Sequence, residues 1–503
     1  MDIKITRNSS TPLYIQIYHQ IQEEILAGRL PSGYRLPPER KLAATLNVNR
    51  STVLNAYREL KASGLVDSQV GKGTIVAQPA TFGDENNQNM VNPISWGQIY
   101  NQNAHKNNDS IVLDLIEITN KADIISFAAG MASPELYPMD DLTKITVKVM
   151  QDYGYKALVH TPIEGHVGLR NSIKALQESM GITSKIEEIM ILSGSQQGLD
   201  LIARVLLETG DTILVEEPTY LGALQLFRNM DVRVIGVPID QNGMRMDILE
   251  SHIIRYKPKL IYTMPTFQNP TGAVMSLERR KKLLDLAYYF EIPIIEDDAY
   301  GFLRYDGETL PTLRAMDSYG YVLYLNTFSK ILFPGLRVGW FTIPRAVVKQ
   351  FALAKQNIDI HTNSLSQWIL NQYITEKLLS SHLEKVKKAY LKRRDCMLNA
   401  LQKYHPSGVT WNVPEGGLYI WCKLPENIDA SKILISAGKH NVAFVPGETF
   451  YSARQGKNYM RLNFTCPSIK AIEKGIKCLM TIINDEINSD KENTTYMDTT
   501  PIY

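Results

Sequence analysis

Thr327-Phe-Ser-Lys-Ile-Leu-Phe-Pro-Gly-Leu-Arg-Val-Gly-Trp340 is the stretch on which the reading of the chain turns. One lysine, Lys330, follows two hydroxyl residues, Thr327 and Ser329. Gly335 and a lone arginine, Arg337, come next, and then apolar sequence resumes. A lysine between small hydroxyl residues and an apolar run can be desolvated. Desolvation disfavours the ammonium and frees the amine to attack an aldehyde. The hydroxyls and the guanidinium fork of Arg337 suit a phosphate. Together they describe a seat for pyridoxal phosphate, held as a Schiff base on Lys330.

Outward from this stretch, residues 111–484 alternate helical patterns with short β-branched or apolar runs. The runs are Ile189–Leu192, Thr212–Val215, Val232–Ile235, Leu260–Thr263, Ile292–Ile295 and Val322–Leu325. Helical stretches such as Gln197–Leu207, Leu221–Asn229 and Glu278–Phe290 lie between them. This is the grammar of an α/β domain with a mostly parallel sheet covered on both faces. Such sheets gather ligands at the carboxyl ends of their strands, so the residues after each run carry the chemistry. Ser193-Gly-Ser-Gln-Gln-Gly198 opens a helix, and its free amides with Ser195 and Gln196 suit a phosphate. Tyr220 can stack on a flat ring, and Asn269 can hydrogen-bond a ring oxygen. A carboxylate in Glu296-Asp-Asp-Ala-Tyr300 would keep a pyridine nitrogen protonated, and Tyr300 could donate to the ring oxygen.

These features, in this order, resemble the fold-type I aminotransferases of class I/II across residues 125–480. The resemblance implies that Lys330 forms the Schiff base and that Asp297, three residues before Tyr300, pairs with the pyridine nitrogen. It assigns Asn269 and Tyr300 to the ring oxygen, and Tyr220 to the ring face. Ser195, Gln196, Thr327 and Arg337 would bind the phosphate. In Tyr459-Met-Arg-Leu-Asn-Phe464, Arg461 would grip a substrate α-carboxylate, a geometry that a guanidinium fork serves well. Gly130 and the loop Pro414–Tyr419 would line the substrate side. One position departs from the family pattern. His160, in Ala157-Leu-Val-His-Thr-Pro162, stands where a tyrosine usually reaches the neighbouring subunit's cofactor or ligand, with Tyr153 and Tyr155 as alternatives for that role.

The first eighty residues read differently. Leu13, Ile17, Ile21 and Ile25 recur at helical spacing. Glu39–Leu46 and Arg50–Ala62 read as two further helices joined by a turn at Asn47-Val-Asn49. Two short extended runs, Leu65-Val66 and Thr74–Ala77, flank a basic glycine-rich hairpin at 69–73. That order suits a winged helix-turn-helix, with the polar start of the third helix facing base edges. Residues 1–78 hold ten lysines and arginines against six acids. Leu36-Pro-Pro-Glu-Arg-Lys-Leu-Ala43, Val48-Asn-Arg-Ser-Thr-Val53 and Gly71-Lys-Gly-Thr74 resemble the DNA-binding domain of the GntR family over residues 10–78. The resemblance implies DNA contacts from Arg40, Arg50, Ser51 and Thr52, with Lys72 in the wing.

Between the two parts, residues 79–110 are rich in asparagine and glutamine and read as a flexible linker. About 30 such residues give a root-mean-square reach of roughly 30 Å. Residues 485–503 are polar and acid-rich, and a disordered tail is expected there. The net charge of +2 says nothing about partners. The four cysteines are widely spaced and form no zinc pattern, so no metal site is expected. No apolar run is long enough for a membrane span, and the N-terminus lacks a signal-peptide core. A cytoplasmic protein is the expectation.

A GntR-like winged helix joined to an aminotransferase-like domain is similar to the MocR subgroup of bacterial transcription regulators. The resemblance implies a homodimer, head-to-tail, bound to double-stranded operator DNA and responsive to pyridoxal phosphate with an amino acid or related carboxylate. The rival expectation is a working aminotransferase with an appended DNA-binding domain. A sensor of the cofactor alone is a third.

Overall fold

The computed structural model describes residues 3–7, 11–69, 73–77, 123–453 and 455–497; for 68, 69 and 490–497 only the backbone is described. The chain divides into two compact units, Met1–Asp109 and Ser110–Tyr503.

In the first unit three helices, α1 (Leu13–Leu26), α2 (Glu39–Leu46) and α3 (Arg50–Ala62), precede a two-stranded antiparallel sheet, β1 (Val66–Gln69) and β2 (Gly73–Val76). The sequence expectation for α2 and α3 holds to the residue. The strands are displaced, because β1 reaches Gln69 and β2 begins at Gly73. Ile17, Ile21, Val53, Ala56 and Leu60 are fully buried and bring α1 and α3 together. Asn47 ends α2 in the left-handed conformation, a stop that asparagine tolerates well. The Tyr57 hydroxyl donates to the Pro37 carbonyl at 2.7 Å and ties α3 to the turn before α2. The wing residue Lys72 and the linker 79–110 lie outside the described residues.

The second unit is built on eight strands: β4 (Ile189–Leu192), β5 (Thr212–Glu217), β6 (Arg233–Asp240), β7 (Gly243–Met244), β8 (Leu260–Thr263), β9 (Ile294–Asp297), β10 (Val322–Thr327) and β11 (Gly339–Thr342). Their spatial order is β4-β11-β10-β9-β8-β5-β6-β7. The five strands from β10 to β6 are parallel, in keeping with the apolar runs and intervening helices of the sequence. The sheet as a whole is mixed. β11 runs antiparallel to both β10 and β4, and β7 is antiparallel to β6. A second sheet has the order β12-β13-β16-β15, made of β12 (Thr410–Trp411), β13 (Tyr419–Lys423), β15 (Val445-Pro446) and β16 (Tyr459–Asn463). A short parallel pair joins β3 (Ile125-Ser126) to β14 (Val442-Ala443).

Register explains how distant loops meet. Gly339 pairs with Thr327 on one side and with Leu192 on the other. The loop after β4 and the loop after β10 therefore leave the sheet side by side. Leu325 pairs with Asp297, which places the end of β9 beside the lysine loop.

The last helix, Ile469–Met497, overruns the expected boundary. Ile472, Ile476, Leu479, Met480, Ile483 and Ile487 form its buried stripe, packed against helix Leu378–Tyr404. The stripe continues past residue 484, so residues 485–497 extend the helix where a disordered tail was expected. Residues 498–503 lie outside the described residues.

Candidate functional site

A cavity of about 660 Å³ opens at the carboxyl edge of the large sheet. It brings together Gly130, Ser195, Gln196, Tyr220, Asn269, Asp297, Tyr300, Thr327, Lys330, Arg337 and Arg461. Of the expected loop Pro414–Tyr419 only Tyr419 lines it, and His160 does not line it either. His160 is exposed, and its Nδ1 lies 2.7 Å from Nε2 of His361.

The lysine loop begins where β10 ends. Thr327 and Ser329 are buried, and the Thr327 hydroxyl donates to Ser329 Oγ at 3.0 Å. This local bond folds the loop so that Lys330 points into the cavity, where Nζ donates to the Gly130 carbonyl at 2.5 Å. Gly130 has no room for a side chain, because a Cβ there would lie 2.9 Å from Tyr419 Oη.

Ser195 and Gln196 open helix Ser195–Leu206, with their amides free at its positive end. Gly194 takes the left-handed region, φ +96°, and Arg337 crosses it closely. A Cβ on Gly194 would lie 2.6 Å from Arg337 Nη2. That nitrogen donates to the Ser193 carbonyl at 2.9 Å. Among the described residues Arg337 has no carboxylate partner. Hydroxyls, helix amides and a guanidinium with no carboxylate partner among the described residues thus converge on one end of the cavity, as an anion requires.

Asp297 and Asp298 follow one another but face different surroundings. Asp297 lines the cavity and accepts the Tyr262 hydroxyl on Oδ2 at 3.0 Å, while its Oδ1 has no hydrogen-bond partner among the described residues. Burial pushes its carboxyl up to about 6, against the lowering pull of Tyr262 and Lys330. Asp298 does not line the cavity. It accepts the Tyr324 hydroxyl at 2.8 Å, and burial beside Glu296 pushes it up to about 8. A buried acceptor at the cavity wall, with one oxygen unpartnered, is the feature that fits a protonated ring nitrogen.

At the opposite wall, β16 carries Arg461, almost wholly buried. Nη1 donates to Asn269 Oδ1 and Nη2 to the Ala128 carbonyl, both at 3.0 Å. Its Nε has no partner, and no carboxylate among the described residues pairs with it. The guanidinium lies 4.1 Å from the Tyr419 ring centre and 5.0 Å from that of Phe450. Asn269 also donates to Tyr300 Oη at 3.4 Å, and Tyr300 Oη lies 3.3 Å from Tyr419 Oη. Burial raises Tyr300 well above the ordinary phenol range. Burial also opposes ionisation of Tyr419, but Arg461 and Lys330 outweigh it and lower that phenol. Tyr220 is half-buried and donates to Gln196 Oε1 at 3.3 Å; burial pushes it up to about 12.

Sequence reasoning missed two members of this assembly. Tyr262 sits in the middle of an apolar strand and reaches Asp297 only because β8 and β9 are neighbours. Asp359 accepts from Ser193 Oγ at 2.9 Å and from Gln197 Nε2 at 2.7 Å, and so holds the anion-facing loop from a distant helix. Neither has a local signal.

In the winged helix Arg40 and Ser51 are exposed and Thr52 is half-buried, together at the starts of α2 and α3. Arg50 is exposed but already engaged, with Nε and Nη2 both 3.0 Å from Glu39 Oε2.

The profile of the class I and II aminotransferases matches residues 137–479, and that of the bacterial regulatory proteins of the gntR family matches residues 13–76. Aromatic-amino-acid aminotransferase 1 of Thermococcus litoralis is 40% identical over 400 residues, 78% of this chain and 96% of that protein. An uncharacterized HTH-type transcriptional regulator of Bacillus subtilis is 34% identical over 472 residues, 94% of this chain and 96% of its own length. The crystal structure of a multiple substrate aminotransferase from Thermococcus profundus superposes with a TM-score of 0.75 at 40% identity, covering 79% of this chain and 100% of that one. The chain belongs to the aminotransferase class I and II family, whose cofactor is pyridoxal phosphate, and it carries a gntR-family domain at its N-terminus.

Proposed function

We propose that this chain is a pyridoxal-phosphate-dependent, DNA-binding transcription regulator of the MocR type. One observation carries the reading. A cavity lined by Lys330, Asp297, Arg337 and Arg461 and a gntR-family winged helix stand in one chain, and a regulator matches that chain over 94% of its length. In this reading Lys330, whose Nζ donates to the Gly130 carbonyl, would be the residue that holds the cofactor through its aldehyde. Ser195, Gln196, Thr327 and Arg337 hold the phosphate. Asp297 keeps a proton on the ring nitrogen through its unpartnered Oδ1, while Tyr262 orients the carboxylate from behind. Asn269 and Tyr300 hold the ring oxygen, and Tyr220 covers the ring face. Arg461 receives the α-carboxylate of an amino acid. The bound cofactor supplies an electrophilic carbon for the ligand's amine.

Arg40, Arg50, Ser51 and Thr52 meet operator DNA, with Arg50 exchanging Glu39 for phosphate or a base edge. The protein acts in the cytoplasm as a head-to-tail homodimer, and His160 faces the neighbouring subunit. The ligand shifts operator binding by favouring one arrangement of the dimer over the other.

A second reading has specific support. A lysine, an aspartate, an asparagine, tyrosines and two arginines line the cavity, and a relative 40% identical over 400 residues is named an aromatic-amino-acid aminotransferase. Absorbance of the cofactor-loaded protein separates the two. A regulator gives a band that shifts with an amino acid and stays shifted. An enzyme gives a band that decays and returns when an oxo acid is added. Lys330→Ala should abolish the starting band; a band that survives this change refutes the cofactor assignment.

A further inference from the structure

Ser193, the first residue after β4, is held at every polar atom. Its amide donates to Gln197 Oε1 at 2.8 Å, its hydroxyl donates to Asp359 Oδ2 at 2.9 Å, and its carbonyl accepts Arg337 Nη2 at 2.9 Å. Gln197 Nε2 donates to the same Asp359 oxygen at 2.7 Å. Asp359, Ser193 and Gln197 thus close a ring of hydrogen bonds directly behind Gly194 and Ser195, and Arg337 is tied to that ring through the Ser193 carbonyl. Asp359 itself does not line the cavity.

The carboxylate is fixed from its other side. Lys355, fully buried and one turn earlier on helix Arg345–Asp359, donates from Nζ to Asp359 Oδ1 at 2.7 Å. Burial opposes ionisation of Asp359, but Lys355, Gln197 and Ser193 outweigh it and hold the carboxyl below the usual carboxylate range. The acceptor that Ser193 meets is therefore an ion, and hydrogen bonds to an ion are the stronger kind. The backbone bends sharply to present it. Ile360 takes φ +59° and ψ −55°, and the His361 amide donates to the Asp359 carbonyl at 2.5 Å, which makes a γ-turn of the rare, strained hand. A β-branched residue seldom adopts positive φ, and Ile360 is exposed, so burial gives it no compensation there. The same turn brings Thr362 Oγ to 3.4 Å from the Ser193 hydroxyl. Strain of this kind persists where the surrounding structure imposes it, and it gathers at functional sites.

We infer that Asp359 is a positioning residue for the anion end of the cavity: through Ser193 it sets the aim of Arg337 and of the Ser195 amide, and so the preference for pyridoxal phosphate over unphosphorylated pyridoxal. The inference rests on the cofactor reading and extends it to a residue outside the cavity. Its sign is distinctive. A carboxylate acting through its charge would repel a phosphate, and its removal would tighten binding; a carboxylate acting through Ser193 would loosen binding when removed.

The test is a titration of the cofactor-free full-length protein with pyridoxal phosphate and, separately, with pyridoxal, followed by the visible band each forms. Asp359→Asn should raise the Kd for pyridoxal phosphate about tenfold, the worth of a hydrogen bond to a charged group, and that for pyridoxal less than about twofold. Ser193→Ala removes the hydroxyl and leaves the buried Lys355–Asp359 pair intact. It should lower the same preference, and it carries the test if Asp359→Asn does not fold. Equal losses for the two compounds would mean a merely structural role and overturn the inference. Unchanged or tighter binding of pyridoxal phosphate would overturn it as well, and both results leave the cofactor reading standing. A wild type that forms no band with either compound would sink the cofactor reading, and this inference with it.

Discussion

Two adjacent aspartates show how much one residue's direction decides. Asp297 and Asp298 are equally buried. Burial raises both carboxyls, Asp298 to about 8 and Asp297 to about 6, so Asp297 ionises first as pH rises. The first charge to form is therefore the one at the cavity wall. Asp297→Asn should weaken cofactor retention by about 10- to 100-fold, the worth of a charge-assisted hydrogen bond, measured by dialysis and absorbance. Asp298→Asn should leave retention nearly unchanged. The pH dependence follows from the sign of the shift. A carboxyl raised in the folded state from 3.8 to about 8 is protonated there while the unfolded chain is ionised. The folded state then binds more protons, so stability falls as pH rises through that window. Asp298→Asn should flatten the fall, which urea unfolding at a series of pH values would reveal. An unchanged slope would mean that another buried acid dominates, with Glu216 and Glu296, both pushed up to about 7, the candidates. The choice of Asp297 over Asp298 is legible in the sequence only through spacing to Tyr300. The partners that enforce it, Tyr262 and Tyr324, come from neighbouring strands and leave no local trace.

At the scale of elements, the hairpin from β10 to β11 clamps the lysine loop at both ends within the sheet. Gly339 is its tight point. A Cβ there would lie 2.8 Å from the Asn326 carbonyl and 3.0 Å from the Ser195 amide. Gly339→Ala should therefore push the anion-facing loop away from Thr327 and lower phosphate affinity several-fold, with circular dichroism unchanged. The parallel strands are legible because each is an apolar run bounded by turns. β11 is not. It reads only as apolar sequence after Arg337, and its antiparallel insertion between β10 and β4 depends on pairing that no local pattern encodes. The tail misleads for a related reason. Its composition is polar, but a helix already anchored by Ile483 and Ile487 propagates one hydrogen bond at a time. In the winged helix, capping and turn residues mark α2 and α3 to the residue. What they do not reveal is the Arg50–Glu39 pair. As an exposed pair it contributes little to stability, within about 1 kcal/mol. Arg50→Ala should weaken operator binding and reduce the salt slope by about one, with the melting temperature scarcely moved. A large loss of stability would instead make Arg50 structural.

At the scale of the whole molecule, the two units each contain a core of their own. Each should fold when produced alone. Residues 1–77 should bind operator DNA without responding to amino acids, and residues 123–503 should load the cofactor. Leu60→Ala, which empties a fully buried site of the small core, should cost that unit about 2–5 kcal/mol and leave cofactor loading intact. Two-domain organisation and both families are readable from motifs, since each motif set is local. The approach of His160 to His361 is not, because it joins sequence positions that no spacing relates.

The cavity's two walls belong to different sheets. Asp297 ends a strand of the eight-stranded sheet and Lys330 and Tyr220 follow others, whereas Arg461 and Tyr419 stand on the four-stranded one. On the reading proposed above, and in the language of signalling, the site would be a coincidence detector. An amine alone would report to one sheet and a carboxylate alone to the other. A molecule that carries both groups on one carbon engages the two sheets at once, so a simple amine and a simple acid, even supplied together, should fail to reproduce the response to an amino acid.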